Sequence, residues 1–225
     1  MKRHLDRLQE MDFELERIGL FSDAVFAIAI TLLIIEVKWP ELPGNAPSAE
    51  FDQALARMIF SFVGFVLSFF FIGRFWQVHL RLFRLVTKYD VGLINRNLLF
   101  LFFIITFPFT ASGLFGHLRD GFVSPLYIYL ANLVLVSAAN FNLCRYVFRL
   151  KPYLGVEGRA AEKNYFYVRS LYTTYAMLAM IGVVTGVSLI FPHRLDLTGY
   201  SCVSGWIFLR AANKKANKLR PPGHF

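Results

Sequence analysis

Apolar residues in this chain gather into runs of about 20, the length that crosses roughly 30 Å of hydrocarbon, and polar residues collect between the runs. The pattern predicts six membrane helices at about 20–37, 55–80, 93–114, 125–148, 165–191 and 197–209, the last short and broken by glycine. The expected fold is therefore an all-α integral membrane protein forming one transmembrane domain over residues 1–225. Ahead of the first run, Leu5, Leu8, Met11 and Leu15 alternate with charges at roughly helical spacing, as in an amphipathic surface helix or a solvated leader. The run closes at Trp39 and Pro40, an interfacial aromatic followed by a helix breaker, and a loop rich in Pro, Gly and acids leads on to Asp52.

Three features inside the runs carry structural expectations. Pro108 predicts a kink or a lost hydrogen bond that neighbouring helices must absorb. Asn132, Asn140 and Asn142 are expected to face another helix, where an amide finds a partner. Gly182 and Gly186, four positions apart, have the spacing that lets helices approach closely, expected here within the chain.

Charge fixes an orientation. The net charge is +9, from 24 Lys and Arg against 15 Asp and Glu, but the charges form no single basic stripe of the kind that binds nucleic acid. Twenty of the 24 flank one set of helix ends: the amino terminus through Arg17, the loops after the second and fourth runs, and the tail. Only Lys38, Arg57, Arg119 and Arg194 lie on the other side. Basic loops stay in the cytoplasm, which predicts a multi-pass protein of the cell (plasma or inner) membrane with both termini cytoplasmic. Cys144 and Cys202 have no spacing that suggests a metal site or a disulfide framework. The first run is too long and unbroken for a cleaved signal peptide.

The first run opens with groups that a lipid-facing helix avoids. A charge costs about 2.5–3.5 kcal/mol at the bilayer centre and less near the interface, so Arg17, Ser22 and Asp23 call for partners. At 100° per residue, Ala24, Thr31, Leu32 and Ile35 fall within about 60° of Ile28, whereas Ser22 and Asp23 lie roughly 120° and 140° away. One face is thus apolar apart from a single hydroxyl. The other turns Ser22 and Asp23 to the interior, at the depth where Trp76, His79, Asn95 and Asn97 enter. A carboxylate, an imidazole, an indole N–H and an amide can satisfy one another there, or each can stand alone as an interfacial polar residue.

Outside this layer no ionisable group falls near the middle of a run, which argues against a proton-coupled or charged-substrate transporter. Gly-x-Ser-x-Gly, His-Glu-x-x-His, a phosphate-cradling glycine loop and paired intramembrane carboxylates are all missing, so neither enzymatic activity nor a catalytic residue is expected. A passive pathway or a structural membrane protein remains.

Arg17-x-x-x-Phe21-Ser22-Asp23, within Phe-Ser-Asp-Ala-Val-Phe-Ala-Ile-Ala-Ile-Thr-Leu-Leu, resembles the signature of the transmembrane protein 175 family of potassium channels in its prokaryotic six-span form. Trp76-x-x-His79 and Asn97-Leu-Leu-Phe-Leu-Phe-Phe are similar to that family too. The resemblance implies a homotetramer whose first helices line a central pore, with no carbonyl selectivity filter. It implies that Ile28 closes the pore, that Leu32 and Ile35 extend the constriction, and that Thr31 contributes to cation selectivity. A permeating potassium ion would pass transiently near Ile28 and Thr31, with no resident cofactor. Arg17, Phe21, Ser22, Asp23, Trp76, His79 and Asn97 would hold the pore helix in place. The partners implied are further copies of the chain, the lipid bilayer and potassium ions. A proton leak through the same pore, and a helper membrane protein that conducts nothing, are the alternatives. His79 could sense pH or be a satisfied structural group; Glu36, Glu41, Glu50 and Asp52 could concentrate cations at the mouth or belong to a solvated loop.

Overall fold

The computed structural model describes residues 2–41, 47–117, 123–192 and 194–221, and among these the side chains of all but 2–12, 117, 195 and 196. These residues form α1 (Lys2–Ile35), α2 (Ser48–Phe83), α3 (Val91–Ile105), α4 (Phe107–His117), α5 (Ser124–Arg145), α6 (Ala160–Ile190), α7 (Leu195–Ser201) and α8 (Val203–Asn217). A π-helical turn at Tyr146–Leu150 prolongs α5. Leu5, Leu8 and Met11, part of the first loop (42–46) and Arg119 lie outside the described side chains.

Five stretches among the described residues are long and apolar enough to cross a membrane: Phe13–Ile35, Ser48–Phe83, Val91–Gly116, Ser124–Leu150 and Ala160–Ile190. This is an all-α, multi-pass membrane protein, and the first five predicted runs correspond to these stretches. The sixth does not. Residues 197–209 fall instead across α7 and α8, which meet at Cys202. The seven residues of α7 include Thr198 and Gly199, and the apolar start of α8 gives way to Arg210, Lys214 and Lys215. The pair nevertheless runs back along α6: Gly205 lies so close to Met180 that a Cβ would overlap its sulfur, and Tyr165 Oη donates to Asn217 Oδ1 at 3.1 Å. The described chain therefore ends near the start of α6.

The third span is one helix in sequence and two in structure. Pro108 has no N–H to offer the Ile104 carbonyl, and the helix is interrupted at Thr106. Asn132 of α5 bridges the break: its Oδ1 is 2.9 Å from the Thr106 hydroxyl, and its Nδ2 donates to Thr110 Oγ1 at 3.4 Å. Asn132→Leu removes both bonds from a buried site. We expect it to cost about 1–2 kcal/mol, and an unchanged melting temperature in detergent would contradict the bridge.

Gly182 and Gly186 face open space, since a Cβ at either would meet nothing within 4 Å. The close approach expected within the chain is not made there, because α6 receives α8 at Met180 and Gly205 instead.

Two apolar clusters hold the bundle. The larger joins Phe26 and Leu33 to Ile72, Phe100, Phe107, Leu133 and Val184. The smaller, built around Leu82, Leu93, Leu143, Val147 and Leu154, closes the basic end. There the α2–α3 loop meets the loop after α5: Val156 N–H donates to Leu85 O at 2.9 Å, and Thr87 N–H to Leu154 O at 2.8 Å. Asp90 ties both loops to α3. Its Oδ1 accepts the Leu93 amide at 2.7 Å as an N-cap, and its Oδ2 accepts the Tyr146 hydroxyl at 2.8 Å.

Burial alone would raise the Asp90 carboxyl, but the Leu93 amide, the Tyr146 and Tyr153 hydroxyls and Lys151 together carry it below its ordinary value. A lowered native pKa means that the carboxylate form stabilises the fold. That contribution is complete above the unfolded value of about 3.9 and disappears as pH falls through the lower native one. Asp90→Ala is expected to cost about 1–2 kcal/mol at neutral pH, in line with other N-caps. The gap between its melting temperature and that of the wild type should narrow as pH drops below about 4. A gap that stays constant with pH would assign the loss to something other than the carboxylate.

Candidate functional site on the first helix

The inward side of α1 follows helical spacing. Ser22, Phe26, Ala29 and Leu33 recur at intervals of four, three and four, and all are buried. Phe26 lies 5.6 Å from the His79 ring and 5.9 Å from Phe100, centroid to centroid, so its aromatic face locks α1 against α2 and α3.

Polar ties are set at the same level. Asn97 Nδ2 donates to Ser22 Oγ at 2.9 Å, and the Ser22 hydroxyl donates to the Ile18 carbonyl at 2.8 Å. Asn97 Oδ1 is then the acceptor for His79 Nε2 at 2.9 Å, so His79 carries its hydrogen on Nε2. The His79 ring is stacked 7° from parallel on Phe100 at 5.7 Å and is almost fully buried, which fixes its plane. Nearer the surface, Trp76 Nε1 donates to Asp23 Oδ1 at 2.9 Å. Two independent connections thus join α1 to its neighbours: Asp23 to α2 directly, and Ser22 to α2 by way of Asn97 on α3.

The remaining residues of the sequence pattern lie apart from this network. Arg17 pairs with Glu14 on its own helix at 3.2 Å and sits over the Phe13 ring. Phe21 is exposed, as is Asn95.

The outward side of α1 is apolar and uncovered in the single chain. Ile28 is 56% exposed and Ile35 65%, with Leu32, Ala24 and Thr31 between and beside them. The Thr31 hydroxyl donates to the Ile28 carbonyl at 2.9 Å, which leaves its oxygen lone pairs free to face outward. Arranged around an axis, such a stripe would form a hydrocarbon collar with one ring of hydroxyl oxygens.

At the opposite end of α1 a cavity of about 420 Å³ is lined by Glu36 and Glu41 but also by Lys38 and Arg57. Both signs of charge meet there, so Glu36 and Glu41 do not make a purely acidic mouth. Glu50 and Asp52 are exposed in the first turns of α2. Among the described residues no group of three or more His, Cys, Asp or Glu gathers to hold a metal ion.

Sequence reasoning missed Phe26, which touches both His79 and Phe100. It reads as one more member of an apolar run, and its position four residues after Ser22 is the only signal that it shares the anchoring face.

Residues 17–108 match the model of a family described as the endosomal/lysosomal potassium channel TMEM175. A potassium channel of Streptomyces collinus is 37% identical over 123 residues, covering 55% of this chain and 58% of the relative. A potassium channel of Chamaesiphon minutus is 36% identical over 105 residues, covering 47% and 51% respectively. The human endosomal/lysosomal proton channel TMEM175 is 31% identical over 98 residues, covering 43% of this chain and 19% of the human one. The chain thus spans about half the length of the bacterial relatives it matches.

Proposed function

We propose that this chain, a member of the TMEM175 family through residues 17–108, is the subunit of a cation channel that prefers potassium. Several copies, four by resemblance to the family, surround an axis lined by the outward side of α1. The observation that carries this reading is the division of α1. Ser22 and Asp23 are bonded to α3 and α2 behind, and a continuous apolar stripe with one hydroxyl is left exposed in front.

A ring of Ile28 side chains is a narrow apolar neck that cannot replace the hydration shell of an ion, so the pore closes there by dewetting. The Thr31 ring offers oxygen ligands one turn away. Leu32 and Ile35 continue the apolar wall. Few ligands replace water at such a site, so potassium is favoured over sodium only moderately. The protein acts by passage and not by chemistry on a substrate. Asp23, Ser22, Trp76, His79 and Asn97 keep α1 in register and do not touch the ion.

Purified protein in liposomes, with bi-ionic gradients of potassium against sodium and of potassium against protons, tests this reading. Potassium flux with a modest sodium leak supports it. Anion preference, or no flux from a protein that is monomeric by mass in detergent, contradicts it. Proton flux without potassium flux would support the alternative that the name of the human relative suggests.

A further inference from the structure

Six arginines surround a cavity that plays no part in the arrangement of α1. Arg74, Arg81 and Arg84 of α2, Arg159 and Arg169 on α6 and its amino-terminal cap, and Arg220 beyond α8 line a space of about 540 Å³ at the basic end of the fold. Glu162 is the one carboxylate among the described lining residues, and its Oε2 lies 3.8 Å from Arg159 Nη1. Guanidinium groups hold their charge at any physiological pH, so the lining carries a large positive excess. Arg74 Nη1 donates to Gln77 Oε1 at 3.1 Å, and Arg169 Nη1 to the Tyr165 hydroxyl at 3.2 Å, both neutral partners. Crowding like charges in this way destabilises the bare protein and favours an anion.

The basic cavity adjoins a second space that is apolar. A smaller cavity of about 130 Å³ shares Arg74, Phe166 and Arg169 with it and is walled by Val78, Met177 and Leu209. Asn140 lines this smaller cavity, and its buried Oδ1 has no hydrogen-bond partner among the described residues. A charged chamber beside an apolar one matches an amphipathic ligand better than a free ion. The chamber also lies where α2, α6 and α8 meet the basic side of the membrane, the side on which anionic lipid headgroups attract Lys and Arg.

We propose that the cavity between α2, α6 and α8 binds an anionic phospholipid, its phosphate among the arginines and its glycerol stem against Phe166 and Met177. The site is independent of conduction, and its readout is binding, so it stands or falls apart from the channel reading.

Native mass spectrometry of the full-length protein, delipidated in detergent and offered tetraoleoyl cardiolipin or dioleoylphosphatidylcholine, tests the proposal. Cardiolipin should be retained in preference to phosphatidylcholine. Arg81→Gln with Arg169→Gln should weaken its retention about thirtyfold, at roughly one lost headgroup interaction per arginine. Arg145→Gln, which removes an exposed charge outside the cavity, should leave retention unchanged. Millimolar inorganic phosphate should not displace the lipid. Equal retention of the two lipids by the wild type, equal weakening by Arg145→Gln, or displacement by phosphate would each overturn the proposal, the last by making the site one for free anions. The wild-type comparison and the phosphate competition decide the matter even if the double variant does not fold.

Discussion

Ile28→Asn should raise potassium efflux from proteoliposomes by about tenfold or more, because each ~1.4 kcal/mol removed from the barrier is a factor of ten in rate. An aliphatic side chain at a shared axis repels water from the neck, whereas an amide there offers both donors and acceptors to the shell of a passing ion. The effect should be specific to the stripe. Phe26→Leu, on the buried side of the same helix, is expected to lower stability without raising flux. Unchanged efflux in a well-assembled Ile28→Asn protein would mean that this side chain faces lipid or another surface and not a conduction path.

The second large effect concerns the anchoring network. Asn97→Leu leaves the His79 ring nitrogen and the Ser22 hydroxyl without their shared partner in a buried site. The Ser22 hydroxyl keeps its bond to the Ile18 carbonyl, so one buried group, the His79 N–H, is left unsatisfied, at a cost of about 1–3 kcal/mol that should be visible as poor recovery of the assembled protein. Asp23→Ala breaks only the Asp23–Trp76 bond, which is partly exposed, and is expected to cost less. Ion selectivity in whatever protein assembles should match the wild type for both variants, because neither residue lies on the outward stripe. Altered selectivity with normal assembly would move these residues from anchoring to conduction.

The two sides of α1 were legible from helical spacing because Ser22 and Asp23, at the start of its apolar run, lie well away from Ile28 on the wheel. The depth of Trp76, His79 and Asn97 could be read from the lengths of the apolar runs, but the pairing could not. Which of Asn95 and Asn97 turns inward depends on the rotation of α3, which Asp90 and Pro108 set at its two ends and which no local pattern displays. Arg17 illustrates the limit from the other direction: a cation at the start of an apolar run invites a distant partner, yet Glu14 lies one turn away and takes it. The sixth run is a different case, being two helices and not one. Residues 197–209 are apolar enough to suggest a span, but Gly199 and Gly205, with Lys214 and Lys215 following soon after, let the chain break at Cys202 and lie along α6. The basic cavity escaped notice because its arginines come from three distant segments and meet only in the folded bundle.

Disulfide trapping at position 28 tests the central claim, that copies of α1 meet along the Ile28 stripe and conduct between them, more directly than any other measurement. In a Cys144→Ala, Cys202→Ala background, Ile28→Cys places a thiol where neighbouring copies would bring their Cβ atoms within bonding range. Oxidation in liposomes should give a covalent dimer on reducing-agent-free gels and change potassium flux, with both effects reversed by reduction. A chain that stays monomeric under oxidation, with flux unaltered, would contradict the account.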